Sequence, residues 1–316
     1  PYYHCVSRCV RRAFLCGEDQ QTGRSFEHRR GWVEQRLLTL TGCFGIDLCA
    51  YAVMHNHTHV VLHVDQESAK AWSCAQIVER WHQLFAGTPL SQRFLRGETL
   101  LPEEQQLLAS HCEQWRERLM SVSWFMRCLN EHIARLANAE DGCTGRFWEG
   151  RFKSQALLDE RALATCMAYV DLNPIRVGIA QTPEDSAHTS VRRRLKALKV
   201  DTGKNVAQPV GLMPFVGSQS QSVSNGLPFR LLDYLELVDW TGRQLRNDKR
   251  AAIPADVPPL LQRLRVEPGV WLSMSRRFES RFKTCVGNAT RVAQVCERRG
   301  QHWLQGIRAC RADFPT

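Results

Sequence analysis

The chain has 316 residues, and its 42 Lys and Arg against 32 Asp and Glu give a formal net charge of +10. Apolar residues make up 43% of the sequence, which is enough for a hydrophobic core and excludes a chain that is disordered throughout. Residues 1–180 hold 20 basic and 20 acidic residues, so the whole positive excess lies in residues 181–316. This charge favours a polyanionic partner, nucleic acid or an anionic membrane surface; a solubilising charged surface is the alternative.

The thirteen cysteines do not indicate a disulfide scaffold. Their number is odd and several lie in apolar runs, so we interpret them as reduced thiols. No CxxC pair occurs, which argues against a structural zinc site. No apolar run approaches the roughly 18 residues of a membrane span, and no signal-peptide pattern opens the chain. We therefore expect a cytoplasmic protein.

Hydrophobic periodicity predicts strands and helices in alternation. The polar pair His55 and Asn56 interrupts two strand-like runs, which favours an antiparallel hairpin. A later helix is expected to stop at Asn173, before Pro174. In chain order the predicted elements are a strand over 2–10, a helix over 27–40, strands over 46–54 and 57–64, helices over 67–86 and 102–138, an extended segment over 145–158, and helices over 160–172, 229–246, 269–283 and 289–309.

The order of these elements predicts the fold class. A β-α-β-β order with further helices predicts an α+β fold, with a ferredoxin-like or RRM-like antiparallel sheet and helices on one face. The first domain is predicted to cover residues 1–180, with a helical insertion at about 67–140. A basic helix and a linker rich in Gly, Ser, Gln and Pro follow over 181–226. Residues 227–316 are predicted to form a mainly helical basic region.

Four histidines at alternating positions mark the second strand of the hairpin. His55, His57, His59 and His63 project to the same side of a strand, and neighbouring members of such a series lie about 7 Å apart. Two imidazoles at that spacing can converge on one divalent cation. A histidine-rich solvent face is the alternative interpretation of this segment.

A second group of polar residues lies near the end of the helix over 160–172. Tyr169 and Asn173 are four residues apart, so they share one helix face. A tyrosine hydroxyl then lies beside an amide oxygen that can bind a metal. The alternatives are a core tyrosine and an asparagine that only terminates the helix.

Three segments resemble a known family. Residues 56–62, NHTHVVL, resemble the His-hydrophobic-His motif of single-tyrosine transposases that act on single-stranded DNA. GRFWEGRFKSQALL at 145–158 and YVDLNPIR at 169–176 resemble the REP-associated tyrosine transposases, which occur beside repetitive extragenic palindromes in bacteria. The resemblance covers about residues 1–180, which it marks as the catalytic domain.

The resemblance implies a set of site residues and a reaction. His57, His59 and Asn173 would bind Mg²⁺ or Mn²⁺, and Tyr169 would be the nucleophile. The implied activity is metal-dependent cleavage and strand transfer of REP-like hairpin DNA through a 5′-phosphotyrosine. The alternatives are a hairpin-DNA-binding regulator that does not cleave, and a nickase of the relaxase or replication-initiator type. The expected protein is a nucleoid-associated monomer or homodimer that binds single-stranded or hairpin DNA and no membrane.

Basic and aromatic residues supply the candidate DNA contacts. They interleave over 146–153, as in a surface that pairs phosphates and stacks bases, although the aromatic residues can instead form the buried side of a strand. Arg276, Arg277, Arg281 and Lys283 form a further cluster that can follow a duplex stem. Each basic cluster can also be a solvated face. The predicted DNA-binding residues are Arg11, Arg12, Arg146, Trp148, Arg151, Lys153, Arg176, Arg192, Arg193 and Arg194.

Overall fold

A five-stranded sheet forms the centre of the structure. The computed structural model describes residues 1–10, 15–19, 21–200, 208–217, 226–246, 256–301 and 304–314. The strands are β1 (Tyr2–Arg8), β2 (Ile46–Val53), β3 (His57–Val64), β4 (Lys153–Leu157) and β5 (Cys285–Val286), in the spatial order β2-β3-β1-β4-β5. All neighbours pair antiparallel except β4 and β5, which are parallel.

Helices surround this sheet and form most of the chain after β3. The helices of the first part are α1 (Arg29–Cys43), α2 (Gln66–Ala71), α3 (Cys74–His82), α4 (Pro89–Leu95), α5 (Pro102–Leu119), α6 (Val122–Glu140), α7 (Glu160–Asp171) and α8 (Asn173–Arg176). Those of the second part are α9 (Ser190–Val200), α10 (Leu231–Arg246), α11 (Pro259–Arg263), α12 (Pro268–Arg281), α13 (Ala289–Arg298) and α14 (Ile307–Asp313).

The two faces of the sheet bury separate hydrophobic cores. Val60 and Leu62 of β3 point toward α1 and α6, whereas Val61 points toward α7 and the helices of the C-terminal region. Successive strand residues alternate between faces, so one strand contributes to both cores. The predicted α+β class with an antiparallel sheet is confirmed. Helices are present on both faces, which exceeds the predicted single layer because the C-terminal region packs over the second face.

The predicted insertion is helical, but its helices are shorter than expected. Ser73 caps α3 in a reciprocal capping box with Gln76, which separates α3 from α2. Ser121 accepts a hydrogen bond from the Trp124 N–H and starts α6 two residues after α5 ends. The continuous helices predicted over 67–86 and 102–138 are therefore wrong at these serines. The extended segment predicted over 145–158 forms a strand only at Lys153–Leu157.

One pair of cysteines departs from the expected reduced state. Cys74 of α3 and Cys112 of α5 form a disulfide, because these helices pack side by side and bring the two Cα atoms to 5.7 Å. The expectation of thiols is wrong for this pair. Of the other eleven cysteines, Cys143 is exposed and the rest are buried. Within the described ranges, no helix is long and apolar enough to cross a membrane.

Candidate active site

The site lies where α7 and α8 cross the sheet above β3. The side chain of Asp159 caps α7 by accepting from the Ala162 N–H at 2.9 Å. Tyr169, near the end of α7, places its ring centroid 5.6 Å from that of His59 on β3. Asn173 starts α8 and places its amide nitrogen 2.9 Å from Nε2 of His59. The structure thus brings together three side chains that the sequence assigned to one site.

The four histidines of the hairpin have different surroundings. The ring centroid of His57 lies 4.8 Å from that of His59, and its Nδ1 lies 2.6 Å from Oδ1 of Asn56. His63 projects to the same face but pairs with Asp47 at 3.0 Å, and His55 is exposed in the turn. Only His57 and His59 of this series therefore adjoin each other at the site.

His4 of β1 belongs to the site, although it is not among the residues predicted from the sequence. Its Nδ1 lies 2.9 Å from Oε1 of Gln155, whose amide nitrogen donates to the Phe282 carbonyl at 2.5 Å. Its Nε2 lies 3.0 Å from Nδ1 of His59. With Gln155 accepting from Nδ1–H of His4, the next proton lies on Nδ1 of His59, and Nε2 of His59 keeps its lone pair.

This hydrogen-bond chain makes His59 suitable as a metal ligand. The Nε2 lone pair of His59 accepts a hydrogen bond from the Asn173 amide nitrogen at 2.9 Å. The buried Oδ1 atom of Asn173 has no hydrogen-bond partner in the described structure. Imidazole nitrogens and amide oxygens are both ligands of divalent cations, and an ordered second imidazole fixes the ring of the first. The side chains of His57, His59 and Asn173 therefore have the donor types that a divalent cation binds. Among the described residues, no group of three or more His, Cys, Asp or Glu side chains has this capacity.

Burial sets the protonation of the site. It lowers the pKa of His59 well below its ordinary value, and it lowers the pKa of His57 to about 4. It also lowers the pKa of His4. Burial raises the pKa of Tyr169 to about 12, with the Arg176 guanidinium opposing the rise and the Glu279 carboxylate adding to it. At neutral pH the imidazoles are neutral and can bind a cation, whereas the phenol keeps its proton.

Tyr169 is held by charged groups on both sides. Arg176 donates to its hydroxyl oxygen at 3.1 Å and lies over its ring, with the guanidinium carbon 4.6 Å from the centroid. The hydroxyl donates to Oε2 of Glu279 at 3.4 Å, and the Phe278 ring lies 5.6 Å away. Glu279 and Phe278 belong to α12, so the C-terminal region contributes directly to the surroundings of the tyrosine.

The free energy of unfolding is expected to fall as the pH drops from about 6.5 to about 4. The pKa of His57 is lower in the folded state, so the unfolded chain binds a proton here that the folded chain excludes, and protons favour unfolding. Urea unfolding at about pH 7 and about pH 5 measures this effect. His57→Gln should lose less stability than the wild type over this interval, by about 1–2 kcal/mol. An equal loss of stability in His57→Gln and the wild type would contradict the lowered pKa of His57.

Some of the predicted DNA contacts between α6 and β4, and at the start of β4, are exposed and others are partly buried. Arg146, Arg151 and Lys153 are exposed, but Arg146 donates to the Trp148 carbonyl at 2.8 Å within its own loop. Trp148 is half-buried and donates from its indole nitrogen to the Asn130 carbonyl at 2.8 Å. Its neighbour Phe147 is buried, which agrees with the alternative of a partly buried aromatic pair. Arg11 and Arg12 lie outside the described residues.

The arginine triplet of α9 does not form one exposed basic surface. Arg194 is fully buried and donates to the Cys49 and Met213 carbonyls at 2.9 and 3.1 Å. Its assignment as a DNA contact is wrong, because three consecutive helical residues span about 200° and one of them here faces the core. Arg192 and Arg193 are half-buried, and Arg193 donates to the Val210 carbonyl at 3.3 Å.

Known proteins show only a weak structural similarity to this chain. No protein-family model matches the chain, and no curated protein matches it significantly. The chain is similar to a solved structure described as "Structure of the REP associates tyrosine transposase bound to a REP hairpin", over 68% of this chain and 92% of that chain. The identity is 11% and the TM-score is 0.37. A similarity at this level carries no argument about function, so the functional assignment depends on the site and the sequence motifs.

Proposed function

We propose that the protein is a metal-dependent endonuclease and strand transferase for single-stranded DNA, with Tyr169 as its nucleophile. The observation that carries the proposal is the convergence of Tyr169 and Asn173 on His59, which is 114 residues away from Asn173 in the chain. The substrate class, REP-like hairpin DNA, comes from the resemblance of segments 56–62, 145–158 and 169–176 to the REP-associated tyrosine transposases.

The side chains of the site divide the reaction between them. His57, His59 and Asn173 would hold Mg²⁺ or Mn²⁺, which supplies Lewis-acid polarisation of a phosphate oxygen when bound. Arg176 holds the Tyr169 oxygen and favours its ionised form, which is needed because burial raises the pKa of this phenol to about 12. The phenol oxygen loses its proton and attacks phosphorus, and the bond from phosphorus to the 3′ oxygen breaks. The 3′ oxygen takes up a proton, so that a 5′-phosphotyrosine and a 3′-hydroxyl result. Because a phenol is a good leaving group, another 3′-hydroxyl can displace it.

A second candidate is a regulator that binds hairpin DNA and does not cleave it. The burial of Tyr169 favours this candidate, since its side chain is 3% exposed and packs as a core residue would. In this case the imidazoles and Asn173 stabilise the fold only. The two candidates differ in whether a covalent bond to DNA forms.

Incubation with labelled single-stranded hairpin DNA and Mg²⁺ or Mn²⁺ tests the proposal. We expect a labelled adduct that survives denaturing electrophoresis and that does not form when a chelator is present. Mass spectrometry should map this adduct to the peptide containing Tyr169. The DNA panel should include several REP-like hairpins with different flanking sequences. Binding to these hairpins without any adduct would support the regulator instead.

Removing the imidazole of His57 is expected to reduce the metal-dependent cleavage rate at least about 100-fold. His63 is a matched control, because it lies on the same face of β3 and is also half-buried, yet it pairs with Asp47. Initial rates of hairpin cleavage over a Mn²⁺ titration compare His57→Ala with His63→Ala. Equal rates in the two variants would remove His57 from the metal site.

A further inference from the structure

A cavity of about 280 Å³ adjoins Tyr169 on the side of the C-terminal region. Tyr169 and Arg176 form one side of it, and α12 with the residues just after it forms the other. Its charged lining consists of Arg176, Arg276, Arg277, Glu279 and Lys283. Four cations and one carboxylate therefore surround a space next to the nucleophile.

The basic residues of α12 and its end have two different roles. Arg276, Arg277 and Lys283 are exposed and line the cavity. Arg281 does not line it, because its guanidinium forms an ion pair with Asp313, including a hydrogen bond of 2.6 Å to Oδ1. The sequence placed all four residues along a duplex stem, whereas in the structure three of them line the cavity beside Tyr169. Arg276 also donates to the Gln244 carbonyl at 3.3 Å, at the margin of this surface.

The backbone of α12 changes direction at this point. Arg277 has φ −127° and ψ 21°, outside the helical range, so the last turn leaves the axis of the preceding helix. This turn carries Phe278 and Glu279 to Tyr169. Glu279, which accepts from the Tyr169 hydroxyl, is the one carboxylate among the lining residues. The three arginines and Lys283 outnumber it, so the field in the cavity is positive.

We propose that Arg276, Arg277 and Lys283 form a phosphodiester-binding wall of the active site, which holds the backbone of single-stranded DNA beside Tyr169. The inference rests on the proposed function, because it takes the DNA substrate as the ligand of this cavity. It assigns the C-terminal region a part in presenting the strand to the nucleophile. The contacts recognise backbone charge and not base sequence.

The salt dependence of binding tests this wall. For a labelled, unstructured oligothymidine, Arg276→Ala/Arg277→Ala should reduce the slope of log affinity against log salt by about 1.4, since each phosphate contact to a single strand contributes about 0.7. Arg308→Ala/Arg311→Ala is the matched control, because both arginines are exposed on α14 and neither lines the cavity. Its slope should equal that of the wild type. All proteins also carry Tyr169→Phe, so that DNA cleavage does not affect the measured binding. Circular dichroism compares their thermal midpoints, which shows whether the variants are folded equally well.

An uncharged backbone provides the second measurement. A methylphosphonate oligothymidine of the same length should bind the cavity variant and the control variant equally, because it offers no charge to either. Equal slopes for the two double variants on normal DNA would overturn the inference, and so would a lack of binding. The adduct is measured separately, in the hairpin-cleavage assay on the protein that keeps Tyr169. An adduct in that assay together with equal slopes rejects the wall alone. A slope difference without any adduct in that assay rejects cleavage and retains backbone binding at the cavity.

Discussion

Replacing Tyr169 with phenylalanine is expected to abolish the covalent protein–DNA adduct, with a decrease of at least about 1,000-fold in its rate of formation. The substitution removes the attacking oxygen and keeps the ring, which packs between His59 and Phe278. Hairpin affinity should therefore change by less than about threefold, because the substitution removes only the hydroxyl group. Denaturing electrophoresis of labelled DNA measures the adduct, and fluorescence anisotropy measures the affinity.

Tyr51 provides the control for this substitution. It is also a buried tyrosine, and its hydroxyl donates to Oε1 of Glu34 at 2.5 Å, on the other face of the sheet. Tyr51→Phe should form the adduct at close to the wild-type rate. An adduct that persists in Tyr169→Phe would assign the nucleophile to another residue, whereas its loss in both variants would indicate a general structural effect.

Replacing Asp171 with alanine is expected to lower the free energy of unfolding by about 2–5 kcal/mol, since each buried donor left without an acceptor costs about 1–3 kcal/mol. Asp171 is fully buried at the end of α7 and accepts from the Tyr234 hydroxyl at 2.7 Å, from the Val191 N–H at 2.9 Å and from the Ser190 hydroxyl. Burial raises the pKa of this carboxyl, while its donors and the buried Arg194 cation oppose the rise. Its removal leaves the Tyr234 hydroxyl and the Val191 N–H without this acceptor, whereas the Ser190 hydroxyl keeps the Tyr51 carbonyl at 3.4 Å. It also removes the negative charge that favours the buried Arg194 cation.

Urea unfolding followed by circular dichroism measures the loss of stability in Asp171→Ala. Glu184→Ala is the control, since it removes an exposed carboxylate between the same two helices, α7 and α9. The control should stay within about 0.5 kcal/mol of the wild type. A loss below about 1 kcal/mol in Asp171→Ala would show that the network adds little to stability.

Local periodicity predicts the parts of the site that depend on one element. The predicted bounds of β3, residues 57–64, are those of the structure, and strand alternation places His57 and His59 on one face. The spacing of Tyr169 and Asn173 similarly predicts that both approach one point, although the chain passes from α7 to α8 between them. These predictions succeed because the period of a strand or helix alone decides which way a side chain points.

Periodicity does not predict contacts between residues that are far apart in the chain. His4 reaches His59 only because β1 pairs with β3 in a register that brings Val6 opposite His59. Glu279 reaches Tyr169 because α12 packs on α7, 110 residues away in the chain. The burial of Arg194 has the same origin, since its partners lie on β2 and near residue 213. No local pattern encodes such neighbours.

The two-residue strand β5 also determines how far the chain can be shortened. The Ala156 N–H donates to the Thr284 carbonyl at 3.0 Å, and the Leu158 N–H donates to the Val286 carbonyl at 2.8 Å. The segment containing β5 therefore provides hydrogen-bond acceptors along one edge of β4. Without it, the outer edge of β4 would present unpaired backbone groups that can recruit a strand from another molecule. A truncation near residue 200 would therefore create an aggregation-prone edge as well as remove basic charge. Point substitutions on α12 separate these two effects.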